Sequence, residues 1–145
     1  MHKNRWTFLI SLGLLMAAVL ACKGSLTTAN ISSLKISSDE AGHTESKSFK
    51  PGDKVYAVAQ VSNNISKVQV KFRVLYDNVE GESAGTMLPG AEKTLDVEGS
   101  RAATFWLSLP SEGFHNGRYK IEVTMLSNGE QKDQKTATFE VSGYE

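Results

Sequence analysis

The feature that most constrains this chain is a two-residue alternation of apolar and polar side chains along most of its length. The alternating runs are Val55 to Val61, Val68 to Tyr76, Ala103 to Leu109, Tyr119 to Met125 and Ala137 to Val141. Successive side chains of a β-strand point to opposite faces, so alternation of this kind predicts strands with one buried face. The chain that follows the N-terminal apolar segment has no convincing helical pattern. The sequence therefore predicts an all-β fold.

Residues that favour chain reversal separate the alternating runs. They are Pro51-Gly52, Asn63-Asn64, Pro89-Gly90, Glu98-Gly99, Asn116-Gly117 and Asn128-Gly129. Proline presets a turn-compatible φ, whereas asparagine and glycine tolerate positive φ. Weaker strands are predicted at 34–37 and 94–98. About seven short strands separated by such turns are typical of an antiparallel sandwich.

Two local sequences resemble bacterial Ig-like and fibronectin-like domains. The segment Asn116–Val123 has the Gly-x-Tyr pattern at the entry to a late strand, and Phe49–Val55 is similar to the turn that enters the second strand. The resemblance implies one antiparallel Ig-like β-sandwich over residues 31–145. It also implies that the hydroxyl of Tyr119 bonds nearby backbone, as in a tyrosine corner. Many unrelated functions use this frame.

The N-terminus has the pattern of a targeting signal. A basic stretch, His2 to Arg5, precedes an uncharged run of 15 residues from Trp6 to Leu20. A spanning helix needs roughly 20 apolar residues, so the run is short for a transmembrane segment. A basic region followed by a short apolar region predicts a secretory signal peptide, and the alternative is an uncleaved signal anchor.

The end of this run, Val19-Leu20-Ala21-Cys22, resembles the lipobox of bacterial lipoproteins. The resemblance implies cleavage between Ala21 and Cys22 and a covalent lipid on Cys22. Residues 1–21 would then be the signal peptide and residues 22–30 the lipidated N-terminus and tether. Cys22 is the only cysteine, and an unpaired thiol is unusual in an exported protein. The alternative is ordinary signal cleavage, which leaves Cys22 as a free thiol.

This resemblance also implies a location. We expect the protein in a bacterial cell envelope, held to the membrane by its lipid. Lys23 stands where an aspartate would resemble an inner-membrane retention signal. We therefore expect the outer membrane if the host has one, and otherwise the outer face of the plasma membrane. No cofactor other than the covalent lipid is expected.

Charge and composition exclude several function classes. The 16 basic and 16 acidic residues give a formal net charge of zero, whereas a nucleic-acid binder would carry a basic excess. Glu112 and His115 have metal-ligand spacing only on a helix, and they lie in a predicted loop. The acidic pairs Asp39-Glu40 and Glu80-Gly81-Glu82 lack the spacing of a calcium loop. We therefore predict no metal site, no catalytic residue and no enzymatic activity.

Two features are candidates for binding. Trp106 alternates with the apolar Phe105 and Leu107, so it should face solvent, where it could stack on a sugar ring or a protein. The stretch 77–90 is longer than a hairpin needs and could carry recognition. Its alternative interpretation is a surface loop with a short edge strand around 86–88.

Our leading hypothesis is a lipid-anchored, non-enzymatic envelope protein that presents an Ig-like module to an envelope protein or glycan. The first alternative is a carbohydrate-binding lipoprotein that uses Trp106, Tyr56 and the neighbouring loops. The second alternative is a small envelope enzyme.

Overall fold

A computed structural model describes residues 28–145 as an all-β structure. Its strands are β1 (Asn30–Ser37), β2 (Ser48–Phe49), β3 (Lys54–Ser62), β4 (Lys67–Val79), β5 (Met87–Glu98), β6 (Ala102–Ser108), β7 (Gly117–Ser127) and β8 (Glu130–Val141). The predicted signal peptide and the lipobox with Ala21 and Cys22 lie outside the described residues. Within residues 28–145, no helix is long and apolar enough to cross a membrane.

The strands form two sheets that pack face to face. The smaller sheet has the order β1-β3-β6, and the larger has the order β2-β8-β7-β4-β5. Every pairing is antiparallel except that of the two-residue β2, which runs parallel to the end of β8. The predicted fold class, a single Ig-like β-sandwich, is confirmed.

The core consists of the side chains that the alternation placed inward. On β3 these are Val55, Ala57, Ala59 and Val61, all fully buried. Between the sheets, Phe72 of β4 stacks on Phe105 of β6 with ring centroids 5.7 Å apart. A fully buried aliphatic or aromatic side chain stabilises the fold by roughly 1.5–3 kcal/mol. These residues therefore supply much of the free energy that holds the two sheets together.

The start of β7 forms the tyrosine corner that the resemblance implied. The hydroxyl of Tyr119 donates a hydrogen bond to the backbone oxygen of His115 at 2.7 Å. Burial raises the pKa of Tyr119 to about 12. Gly117 begins this strand at φ +145°, and a Cβ there would lie 2.6 Å from the Asn78 oxygen. Only glycine therefore fits this close approach.

The two weaker strands predicted at the sheet edges are present but longer than predicted. β1 begins at Asn30, whereas the predicted strand began at residue 34. β5 runs from Met87 to Glu98, whereas the predicted strand covered only 94–98. β2 was not predicted. β5 pairs only with β4 and exposes most of its side chains, including Glu92 and Lys93. Because an exposed edge strand needs few apolar residues, the alternation that reveals the central strands is absent from it.

Candidate binding surface

Tyr56 and Trp106, the two residues predicted to bind a ligand, are direct cross-strand neighbours. Tyr56 of β3 pairs with Trp106 of β6 in the antiparallel register. Directly opposite residues in such a pair have Cβ atoms about 4.5–5.5 Å apart. Trp106 is 56% exposed, so its predicted exposure is confirmed, and Tyr56 is half-buried. The small sheet thus carries two adjacent aromatic side chains on its outer face.

Strand parity explains why these two side chains point outward. Val55 and Ala57 flank Tyr56, Phe105 precedes Trp106, and all three are buried in the core. Leu107 completes the inward side of β6 as a half-buried residue packed against that core. An inward Trp106 would require every residue of β6 to change faces, which would expose Phe105.

A lysine completes this group of side chains. The Nζ atom of Lys54 lies 5.2 Å from the centroid of the Trp106 ring. A cation over an indole face is attracted by the ring quadrupole. Lys54 pairs with Ser108 in the same register. We call Lys54, Tyr56, Trp106 and Ser108 the Tyr56–Trp106 surface.

The loop 38–44 borders this surface on the outer face of the small sheet. Val58 follows Tyr56 on that face and is buried, because Gly42 packs over it. A Cβ built on Gly42 would lie 3.2 Å from Cγ2 of Val58. Across the sheet, the Thr104 hydroxyl donates to the backbone oxygen of Glu40 at 3.5 Å.

Asp39 holds this loop in its conformation. Its Oδ1 atom accepts hydrogen bonds from the backbone nitrogens of Ala41 at 3.0 Å and His43 at 3.1 Å. Its Oδ2 atom accepts from the backbone of Thr44 and the hydroxyl of Ser37. The bonds from Thr44 and His43 hold the pKa of Asp39 far below its usual range. The sequence suggested a solvated acidic pair here, whereas Asp39 fixes the border of the candidate surface.

The residues considered as metal ligands lie in a loop, as the sequence predicts. Glu112 and His115 lie exposed in the loop between β6 and β7, and the His115 backbone accepts the Tyr119 hydrogen bond. His43 is exposed in the loop 38–44. Among residues 28–145, no three His, Cys, Asp or Glu side chains come together as a metal site.

The stretch 77–90 is shorter as a loop than predicted. β4 continues to Val79 and β5 begins at Met87, so only residues 80–86 connect them. The backbone of Tyr76 forms two hydrogen bonds with this connection. Its nitrogen donates to the Thr86 oxygen at 2.9 Å, and its oxygen accepts from the Gly85 nitrogen at 2.8 Å. The loop is therefore only seven residues long, and its role in recognition stays a prediction. The edge strand around 86–88 is confirmed as the start of β5.

Sequence reasoning missed a groove at the edge of the sandwich. The groove has a volume of about 540 Å³ and lies where β1 and β8 run side by side. It is lined by Leu34, Ile36, Glu45, Ser46, Lys47, Thr136, Ala137 and Thr138. Leu34 and Ala137 are only half-buried there. The groove could not be predicted because it depends on how two strands from opposite ends of the chain approach each other.

Comparison with known proteins adds information on the fold. No protein-family model matches the chain, and no curated protein is a significant match. Among solved structures, it is similar to the Pseudomonas fluorescens alkylpurine DNA glycosylase AlkC bound to DNA containing an abasic site analogue. That match has 15% identity and a TM-score of 0.51, and covers 79% of this chain and 30% of the glycosylase. At this identity the likeness concerns the fold alone.

Two further solved structures have lower similarity scores. An immunoglobulin-like protein from Pseudomonas aeruginosa has 14% identity and a TM-score of 0.48, with 82% of this chain and 100% of that chain covered. The C-terminal domain of wzt has 16% identity and a TM-score of 0.49, with 79% and 74% covered.

Proposed function

We propose that this protein is a lipid-anchored, non-enzymatic module of the bacterial envelope, which binds its partner through the Tyr56–Trp106 surface. The observation that carries the proposal is the pairing of an exposed Trp106 with Tyr56 on the outer face of the small sheet. Tryptophan and tyrosine, together with arginine, are the side chains most enriched among the residues that dominate binding energy at protein interfaces.

The setting of the pair supports recognition rather than chance exposure. Both aromatic residues stand on paired strands, not on a loop, so their backbone geometry is fixed before any partner arrives. Binding to rigid elements costs less conformational entropy than binding to a loop that must first become ordered. The loop 38–44, fixed by Asp39, borders the pair on one side.

The position of the surface suits a protein held by its N-terminus. The described chain begins at Thr28, whose hydroxyl donates to the Asn63 backbone at 3.3 Å. Tyr56 precedes Ser62, the last residue of β3, by a distance of about 20 Å along the strand. The surface therefore lies away from the end of β3 that is nearest the proposed anchor, which would leave it accessible to a partner in the envelope.

The second candidate function is carbohydrate binding by the same surface. An exposed indole beside a tyrosine offers flat apolar area for the face of a sugar ring, and Lys54 and Ser108 offer hydrogen-bond donors at its border. Because glycans and envelope proteins can be offered to the protein separately, a direct binding test distinguishes the two candidate functions.

A binding test on the mature protein distinguishes these partners. The protein should be applied to an array of envelope glycans and, separately, to solubilised envelope proteins, together with the variant Trp106→Ala. Met87→Ala is the matched control, because Met87 is another exposed large apolar residue. We expect Trp106→Ala to abolish binding and Met87→Ala to retain it. Equal binding by the wild type and Trp106→Ala would refute the role of this surface.

Metabolic labelling tests the anchor. Cells supplied with labelled palmitate should incorporate the label into the wild-type protein but not into Cys22→Ser. We also expect Cys22→Ser to leave the membrane fraction or to remain unprocessed. Wild-type protein released in soluble form without acyl groups would rule out lipid anchoring.

A further inference from the structure

The end of the sandwich from which the N-terminal segment departs carries an exposed apolar side chain. Ile65 lies between β3 and β4 and is fully exposed. Among residues 28–145, the other exposed large apolar residues are Met87 and Trp106. Trp106 belongs to the surface described above, and Met87 lies at the opposite end, where β5 begins. Ile65 therefore lies apart from both of these residues.

The loop that presents Ile65 is rigid. Asn64 is buried, and its side-chain nitrogen donates to the Gly99 oxygen at 3.1 Å, while its Oδ1 accepts from the Ser66 backbone at 3.2 Å. The Ser100 hydroxyl accepts from the Asn64 backbone nitrogen at 3.0 Å. This network ties the loop to the turn between β5 and β6. The polar Asn64 is buried whereas the apolar Ile65 is exposed, which reverses the usual arrangement.

The start of the described chain lies against the same loop. Asn30 pairs with Ser62, and the Thr28 hydroxyl bonds the backbone of Asn63, two residues before Ile65. Cys22 precedes Thr28 by six residues, which can span at most about 22 Å. A lipid on Cys22 would keep this end of the sandwich close to the bilayer.

We propose that Ile65 inserts into the membrane interface and orients the sandwich on the lipid surface, an inference that rests on the proposed lipid anchor. The anchor keeps Ile65 at high local concentration beside the lipid, so one apolar contact adds to an attachment that already exists. The rigid loop means that little conformational entropy is lost on insertion. The Tyr56–Trp106 surface, which begins about 20 Å from Ser62 along β3, then stays outside the lipid.

A fluorescent label at position 65 tests this inference. Ile65→Cys, and Met87→Cys as the matched control at the opposite end, are each produced as the lipidated protein and modified with an environment-sensitive dye. In neutral phosphatidylcholine vesicles, we expect blue-shifted emission and quenching by spin-labelled lipid for the dye at 65 alone. A dye at 65 that behaves like the dye at 87 would overturn the inference.

Label-free hydrogen exchange provides a second measurement. On vesicles, the backbone amides of residues 63–66 and 99–101 should exchange more slowly than in a soluble protein that begins at residue 22 and carries Cys22→Ser. Ile65→Ser should remove that difference. Residues 80–86 should exchange equally in all forms. Equal exchange of 63–66 in the wild type and in Ile65→Ser would contradict insertion.

Two controls separate the sources of failure. Mass spectrometry reports the acyl groups on Cys22: their absence would overturn the anchor and this inference together, whereas a lipidated protein with a water-exposed position 65 would overturn the inference alone. In the soluble Cys22→Ser protein that begins at residue 22, the emission of the dye at 65 should not shift as the protein concentration rises. A concentration-dependent blue shift would assign Ile65 to contact between two copies of the chain instead.

Discussion

The outer faces of the two sheets differ in the contacts that their side chains make. On the large sheet, charged residues of β4 find opposite charges on neighbouring strands: Lys71 bonds Glu92 at 3.1 Å, Lys67 bonds Asp96 at 2.9 Å, and Arg73 bonds Glu122. On the small sheet, Tyr56 and Trp106 lie side by side, and Trp106 is largely exposed.

This difference indicates where a partner would bind. Charged groups already paired on the large sheet would have to be desolvated or re-paired before a partner could use them. The exposed indole gains free energy when it is covered, because apolar area leaves water. The two faces cover one core, so this contrast favours the small sheet as the face for the proposed binding.

The largest expected effect separates the inner and outer sides of β6. Phe105→Ala should lower the free energy of unfolding by about 3–5 kcal/mol, because it removes the stack with Phe72 and leaves a cavity between the sheets. Trp106→Ala should cost about 1–2 kcal/mol, since less than half of its surface is covered. Urea denaturation followed by circular dichroism measures both. Equal losses would show that Trp106 is a core residue and would break the contrast.

A smaller effect is expected on the outer face of the large sheet. Arg73 bonds Glu122, whose side chain is 14% exposed, while that of Arg73 is 39% exposed. A double-mutant cycle with Arg73→Ala and Glu122→Ala should give a coupling energy of up to about 1 kcal/mol. Because salt screens such a pair, the coupling should fall as sodium chloride is added. Denaturation midpoints of the four proteins measure it. A coupling of zero at low salt would remove ion pairing as the distinction between the faces.

The smallest expected effect concerns the loop that borders the Tyr56–Trp106 surface. The backbone bonds from Thr44 and His43 lower the pKa of Asp39 in the folded state, so its ionised form favours folding above the ordinary value of 3.8. That contribution is lost as pH falls through the lowered folded-state pKa. Asp39→Asn should therefore be less stable than the wild type at neutral pH, and the gap should narrow in acid. Thermal melts from pH 7 to pH 2 measure the gap, with Glu40→Gln as the control. A gap independent of pH would contradict this role for the carboxylate.

The sequence predicts the central strands and the exposure of Trp106 because alternation is a local property. Phe105 and Leu107 are apolar on both sides of Trp106, so the parity of one strand suffices. The adjacency of Tyr56 to Trp106 is different, because it depends on the pairing of β3 with β6, with two strands of the other sheet between them in sequence. No local pattern determines such a register.

The same distinction explains the errors. β5 pairs along one edge only and is mostly exposed. Its sequence is therefore largely polar, and alternation could not predict its full length. The burial of Val58 under Gly42 and the role of Asp39 depend on a loop crossing the sheet, which leaves no periodic signal. Ile65 lies in no sequence pattern, because the inference about it depends on the burial of Asn64 and on the start of β1 beside the same loop.

The intrinsic fluorescence of Trp106 tests the central claim most directly. The chain has two tryptophans, Trp6 and Trp106, so a protein that begins at residue 22 reports on Trp106 alone. We predict red-shifted emission that iodide quenches readily, and protection from iodide when the glycan or envelope protein that binds is added. Blue, iodide-resistant emission from the free folded protein would contradict an exposed Trp106. Unchanged quenching in the presence of a bound partner would show that the partner binds elsewhere.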